Sequence, residues 1–216
     1  SFGNQVSQNS TRTCWVLKCD IKRFFENIDH SVLYAILKTY IPDPKVLWLL
    51  EEVVRSFYST RFGIGLPLGN LTSQLLVNVY LNEFDQFVKH KLKIKYYLRY
   101  ADDFVLLSDS QGWLVDQIAS IQNFLEARLK LHVPPGKISL RTLASGVGFL
   151  GWVHFTDHRV IRISTKRRMM RRIQSNPTPE TLNSYLGLLT HGNAYRLRAR
   201  VLADYFLARD AVKWTA

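Results

Sequence analysis

Cysteine is scarce in this 216-residue chain, which holds two, Cys14 and Cys19. Their odd separation puts them on opposite faces of a strand, so no disulfide is expected between them, and the usage suits a reducing compartment. Long apolar runs are missing too. No stretch approaches the roughly 18 uninterrupted apolar residues of a membrane span, so no membrane partner is expected. Neither an initiating Met nor a signal-peptide apolar segment is found at Ser1, and the chain reads as cytoplasmic and as a mature, cut or engineered form. Acidic residues are outnumbered 17 to 29 by Lys and Arg, which leaves a formal charge of +12. That surplus predicts a polyanionic partner. Apolar residues, by contrast, make up 47% of the chain, which excludes a disordered polyelectrolyte and provides for a core. The length fits one domain, or one with a small appendage.

Trp15, Val16 and Leu17, leading to Asp20, read as a buried strand that ends at a carboxylate. Val32, Leu33, Ile36, Leu37 and Tyr40 recur at helical spacing over 31–41, with Asp29 or Ser31 as cap. Pro42 and Pro44 stop that helix, and Val46 to Phe57 carry a second. Gly63 to Asn70 must be loop, and a long helix runs from Leu71 to near Lys91. Two apolar runs around Ala101-Asp102-Asp103 signal a β-hairpin. An amphipathic helix from Trp113 to Leu131, a turn at 134–136 and short β-rich runs at 137–142, 147–155 and 159–164 follow, then helices over 180–190 and 194–212. This order fits an α+β fold of the split βαβ, ferredoxin-like kind, an antiparallel sheet with helices on one face and the other face open.

Asp102 and Asp103 need explaining, because two adjacent negative charges repel and a hairpin turn does not require both. A solvated turn is the plain alternative. Asp20, however, would lie beside the hairpin in such a sheet, and three carboxylates would converge. Oxygen-rich clusters suit Mg²⁺, whereas His and Cys would select softer metals. A pair of such ions supports in-line phosphoryl displacement. A basic protein with this site reads as a nucleotidyl transferase or a nuclease.

At these residues the chain resembles the reverse transcriptases. Tyr100-Ala101-Asp102-Asp103 is similar to their YxDD box, and Leu17 to Phe25 to the strand with their first metal aspartate. A Gly-rich loop and helix, a Gly-Lys turn and Phe149-Leu150-Gly151-Trp152 follow in the same order. The resemblance implies a palm over 14–164, including part of the fingers in helices 31–58, a fingers or linker remnant at 1–13 and a thumb-like helical segment at 165–216. It implies Asp20, Asp102, Asp103 and the Ile21 carbonyl as ligands of two Mg²⁺ ions, with Mn²⁺ as substitute. Phe25 falls at the steric gate that selects deoxynucleotides, with a plain core Phe as the alternative. Lys137 matches the lysine that protonates departing pyrophosphate, or else is solvated. Leu68, Gly69, Ser73 and Gln74 belong to the nucleotide-binding loop and helix. Phe149, Leu150, Gly151 and Trp152 form the primer grip or an ordinary core strand. The implied partners are a template RNA, a DNA or RNA primer and dNTPs.

Many members have Gln-Gly, and then Ser-Pro, where this chain reads Leu68-Gly69 and Ser73-Gln74. Leu and Gln at these places resemble the diversity-generating retroelement type, which is error-prone at template adenine and works with a small basic accessory protein. The run Ser184 to Asn193 is similar as well. A Leu cannot hydrogen-bond the nascent pair as Gln can, which loosens geometric checking; burial of Leu68 under the loop is the rival explanation. A group II intron or retron type, or a catalytically silent RNA-binding relative, are the other readings. Members carry a basic N-terminal fingers segment, and with residues 1–13 ahead of the first strand this chain is expected to hold metal and primer–template yet polymerise poorly or not at all.

From Arg159 to Arg172 there are seven basic residues and no acid. Lys166, Arg167, Arg168, Arg171 and Arg172 lie where a thumb would meet the primer–template backbone; a merely solvated helix face is the alternative. His154 and His158 have the spacing of metal ligands on a helix, but their β context excludes a zinc site.

Overall fold

The computed structural model describes residues 2–8, 11–57 and 61–213. In chain order it contains α1 (Phe2–Val6), β1 (Trp15–Asp20), α2 (His30–Tyr40), α3 (Pro44–Arg55), α4 (Leu71–Gln86), β2 (Tyr97–Tyr100), β3 (Asp103–Ser108), α5 (Gln111–Leu129) and β4 (Ile138–Thr142). There follow β5 (Val147–Phe149), β6 (Trp152–His154), β7 (Arg159–Ile161), α6 (Ile163–Ser175), α7 (Pro179–Leu189) and α8 (Tyr195–Lys213). Two compact units result: Cys14–Leu140 with Phe2, and Arg141–Ala216 with Gly3–Thr13. The division falls within β4, and β5, β6 and β7 form a sheet of their own that shares no ladder with the first four strands.

In the first unit the strand order is β2-β3-β1-β4, with β1 and β2 both antiparallel to β3. Leu17 and Cys19 of β1 join Phe104 and Leu106 of β3 in the main core. Against them pack Leu76, Val77, Tyr80, Leu81 and Phe84 of α4 and Leu114, Ile121, Leu125 and Leu129 of α5. Side chains alternate along a strand, so Val16, Lys18 and Asp20 share the opposite face with Leu107, Val105 and Asp103, their direct partners on β3. That face is not open along its whole length, as the ferredoxin-like pattern predicted. Val16, Val105 and Leu107 are buried there, and the apolar run on both sides of each strand is what a doubly covered strand requires. Cys14 and Cys19 are buried free thiols.

Local chemistry explains the helix ends. Asp29 caps α2 by accepting from the Val32 N–H at 3.0 Å. Asp43 caps α3 by accepting from Lys45 N–H at 2.8 Å, and Pro44 opens that helix, where its missing N–H is no loss. α4 runs on into a π-helical turn at Phe87–Lys91.

In the second unit, Leu150 and Gly151 turn the chain between β5 and β6, both with positive φ (49° and 81°), as a two-residue hairpin loop demands. The 147–155 run is therefore two strands. Ile163 already belongs to α6, which packs with α7 and α8 around Met169, Ile173, Leu182, Leu189, Val201 and Tyr205. Among the described residues, no helix is long and apolar enough to cross a membrane.

Candidate active site

Asp20 ends β1 directly opposite Asp103, which begins β3, and the register puts both on the sheet face away from α4 and α5. Like charges facing each other across an antiparallel pair, with Cβ atoms about 5 Å apart, oppose folding. Asp102 lies in the adjoining two-residue turn between Tyr100 and Asp103. Its partner in the turn, Ala101, has φ +50°, unusual for a residue with a Cβ. The Ile21 N–H donates to the Asp102 carbonyl at 3.1 Å, docking the turn onto the end of β1.

Two lysines balance part of this charge. Lys18 Nζ donates to Asp103 Oδ2 at 2.8 Å, and Lys137 Nζ lies 3.0 Å from Asp20 Oδ1. Lys137 is delivered by a 3₁₀ turn, Pro135–Lys137, and its side chain is half exposed beside Asp20. Burial, and then the charges of Asp20 and Asp103, hold the Asp102 carboxyl above its ordinary value, with Lys137 pulling the other way. Burial and the Asp103 charge likewise push the Cys19 thiol up to about 12, so it stays protonated. The donor set is all oxygen and its charges are underbalanced, which fits a hard divalent cation. Among the described residues, no group of three His, Cys, Asp or Glu is drawn together as a ready-made metal cage; the lysine ammonium groups occupy part of the carboxylates' bonding capacity.

The segment after β1 meets the Gly-rich loop. Leu66 N–H donates to the Phe25 carbonyl and Gly65 N–H to that of Ile28, both at 2.8 Å, while His30 Nε2 lies 2.7 Å from the Gly65 carbonyl. Phe24 is the core residue here. Phe25 is half-buried and leans edge-on against it, with ring centroids 5.5 Å apart. Leu68 is 72% exposed, so it does not pack under the loop, and Gly69 and Gln74 are exposed beside it. Ser73 differs. It is 2% exposed on the core side of α4 and so is placed as a helix-packing residue rather than a surface contact, because it shares its face with Leu76, Val77 and Tyr80.

The sequence model described as reverse transcriptase (RNA-dependent DNA polymerase) matches residues 3–154, well over half of the chain, including every one of these positions. The chain belongs to the reverse transcriptase family. It is 26% identical over 211 residues to protein YkfC of Escherichia coli K12, covering 80% of this chain and 54% of YkfC. It is 36% identical over 87 residues to the group II intron-encoded protein LtrA of Lactococcus lactis, covering 38% of this chain and 14% of LtrA. The chain thus spans about half, or less, of the curated relatives it matches. Its fold is shared with telomerase of Candida tropicalis (TM-score 0.61, 12% identity, 99% of this chain and 45% of the other). Telomerase of Candida albicans, solved with a fragment of telomeric RNA, matches at TM-score 0.57 and 14% identity, over 96% and 42%. The α+β architecture with its antiparallel sheet is thus that of a reverse transcriptase palm.

The remaining residues that the family resemblance singled out lie in the second unit. Phe149 and Trp152 are buried partners across the β5–β6 hairpin, and its turn is formed by Leu150, which is exposed, and Gly151, which is half-buried. The Arg159 guanidinium sits 5.4 Å from the centre of the Trp152 ring, and Gly192 packs so close to that ring that a Cβ would collide. The Arg159 side chain also donates to the His191 carbonyl, and Asn193 N–H donates to the Arg159 carbonyl at 3.0 Å. The 184–193 run is thereby tied to the hairpin. Lys166, Arg167, Arg168, Arg171 and Arg172 are all exposed on α6, whose buried side is Met169 and Ile173. His154 Nε2 lies 3.3 Å from the Phe149 carbonyl and His158 Nδ1 lies 2.7 Å from Asp157, so the two rings serve different local partners.

Sequence reasoning missed one cluster at the site. Arg99 of β2 joins Asp85 and Asn78 of α4, and its only signal was a lone Arg among aromatic strand residues.

Proposed function

We propose that the chain is an RNA-directed DNA polymerase that adds deoxynucleotides to a primer 3′-OH along an RNA template. The observation that carries this reading is the Asp20–Asp103 cross-strand pair with Asp102 in the adjoining turn, a concentration of negative charge that folding alone would disfavour. Asp20, Asp102, Asp103 and the Ile21 carbonyl would hold two Mg²⁺ ions, or Mn²⁺ in their place. Such ions, when bound, promote ionisation of the attacking hydroxyl and neutralise the leaving oxygen. The chain's own residues supply the rest. Lys137, already at the acidic centre, gives a proton to the departing pyrophosphate. Phe25 stands against the ribose 2′ position and rejects ribonucleotides. Leu68, Gly69 and Gln74 present an exposed edge to the nascent base pair. Phe149 to Trp152 grip the primer, and the basic face of α6 takes phosphates as a thumb would.

The test is extension of a labelled primer on an RNA template with dNTPs and Mg²⁺. DNA product supports the reading; template binding without product supports a silent RNA-binding relative instead.

Within the family the diversity-generating type rests on Leu68, which is exposed at the loop, and on Gln74. Leu68→Gln is expected to lower misincorporation opposite template adenine several-fold, read by sequencing the cDNA. An unchanged error spectrum would remove the link to this residue. A group II intron type is the second reading, favoured by the similarity to LtrA.

A further inference from the structure

Arg99 is a strand residue whose side chain is only 10% exposed. Its Nε donates to Asp85 Oδ1 at 2.8 Å and its Nη2 to Asp85 Oδ2 at 2.6 Å, a two-point clamp that only a planar fork can make. Its Nη1 donates both to Asn78 Oδ1 at 3.3 Å and to the Ala101 carbonyl at 3.2 Å. Asp85 also accepts from the Tyr97 hydroxyl at 2.7 Å. Asn78 and Asp85 are two helical turns apart on α4 and so share one face of it. Through one side chain, that face of α4 is bonded to the residue before Asp102.

A buried ion pair adds little stability over apolar side chains of the same volume, because desolvation offsets the attraction. Its distinguishing product is fixed geometry. Here the fixed object is a turn in which Ala101 is held at φ +50°, a conformation that persists only where neighbours impose it. Arg99 bonds the Ala101 carbonyl on one side, and the Ile21 N–H bonds the Asp102 carbonyl on the other.

We infer that Asp85, Arg99 and Asn78 are positioning residues that hold the Ala101-Asp102 turn, and with it the Asp102 carboxylate, in the geometry needed for nucleotide transfer. The inference rests on the proposed polymerase function for its catalytic consequence, while the positioning itself is measurable without activity. Two readouts on the full chain test it: amide hydrogen exchange at Ala101–Asp103, and primer extension resolved into kcat and dNTP KM.

Arg99→Lys keeps the charge but cannot span Asp85, Asn78 and the Ala101 carbonyl together. Exchange at the turn is expected to rise at least about 10-fold, and kcat to fall about 10- to 100-fold with KM nearly unchanged, as for loss of alignment. Asn78→Ala, at an exposed helix position, keeps the Asp85 clamp and guards against a variant that fails to fold; a change of about 3-fold in the same direction is expected. Unchanged turn exchange in folded Arg99→Lys would overturn the inference. So would a uniform rise across β2 and β3 with kcat intact, which marks a pair that serves only stability. A parent protein that makes no DNA refutes the proposed function instead, and the exchange result still decides the positioning.

Discussion

Lys137 and Asp20 form one contact to which the proposed function assigns chemistry as well as folding. The 3.0 Å approach of the ammonium group offsets charge that the Asp20–Asp103 register concentrates, and the proposed function makes the same group a proton donor. Lys137→Ala is expected to lower the rate of incorporation at saturating dNTP about 100-fold, the usual scale for a general acid. Rapid-quench primer extension checks it; a rate within about 2-fold of the parent would remove Lys137 from the chemistry and leave it as a surface counter-charge. The aspartates were legible in the sequence because they end or interrupt apolar runs, and Lys137 because it follows a Gly turn as the family resemblance implies. Lys18 and Arg99 were not. Their roles depend on cross-strand register and on a helix distant in sequence, neither of which a local pattern contains.

At the scale of elements, α2 depends on Asp29. Its side chain caps the helix through the Val32 amide and pairs with Lys130 Nζ at 2.6 Å. Burial alone would push this carboxyl up, yet the hydrogen bonds from Lys130, Ser31 and Val32 bring it below its ordinary value. A depressed carboxyl contributes stability that is present above the ordinary value and lost as pH falls through the folded one. Asp29→Ala should therefore cost about 1 kcal/mol at pH 7, the typical worth of a cap. In urea unfolding the gap between parent and variant should narrow below about pH 4; a gap that stays constant to pH 3 would contradict the assignment. The cap was readable from Asp29 and Ser31 ahead of the apolar helical periodicity, and structure chose Asp29. The start of α3 at Pro44 was not, because Pro both ends one helix and begins the next. The π-helical turn at Phe87–Lys91 and the burial of Ser73 escaped for a similar reason: tertiary packing, not local propensity, decides them.

For the whole molecule, the +12 charge is partly accounted for by the exposed cations of α6. If they contact nucleic-acid phosphates, affinity for a primer–template must fall with salt. Replacing Arg167, Arg168, Arg171 and Arg172 together by Gln should reduce the slope of log affinity against log salt by about 3. An identical slope in the parent and the variant would mark α6 as a merely solvated face. The division within β4 and the separate sheet that begins at β5 were hidden in the sequence, where β4 and β5 read as neighbouring runs of the same kind; only hydrogen-bond ladders assign them to different sheets.

On the proposed function, the acidic end of β1 and β3 is a DNA-synthesising centre. The most direct measurement is Mg²⁺-dependent primer extension on an RNA template by the parent chain and by Asp102→Asn, with template binding measured in parallel. DNA product is expected from the parent, with a loss of about 100- to 1,000-fold in the variant, the scale for a group whose proposed metal ion would neutralise transition-state charge, and template affinity within about 2-fold. Undiminished synthesis by Asp102→Asn, or template bound by the parent with no product, would contradict it.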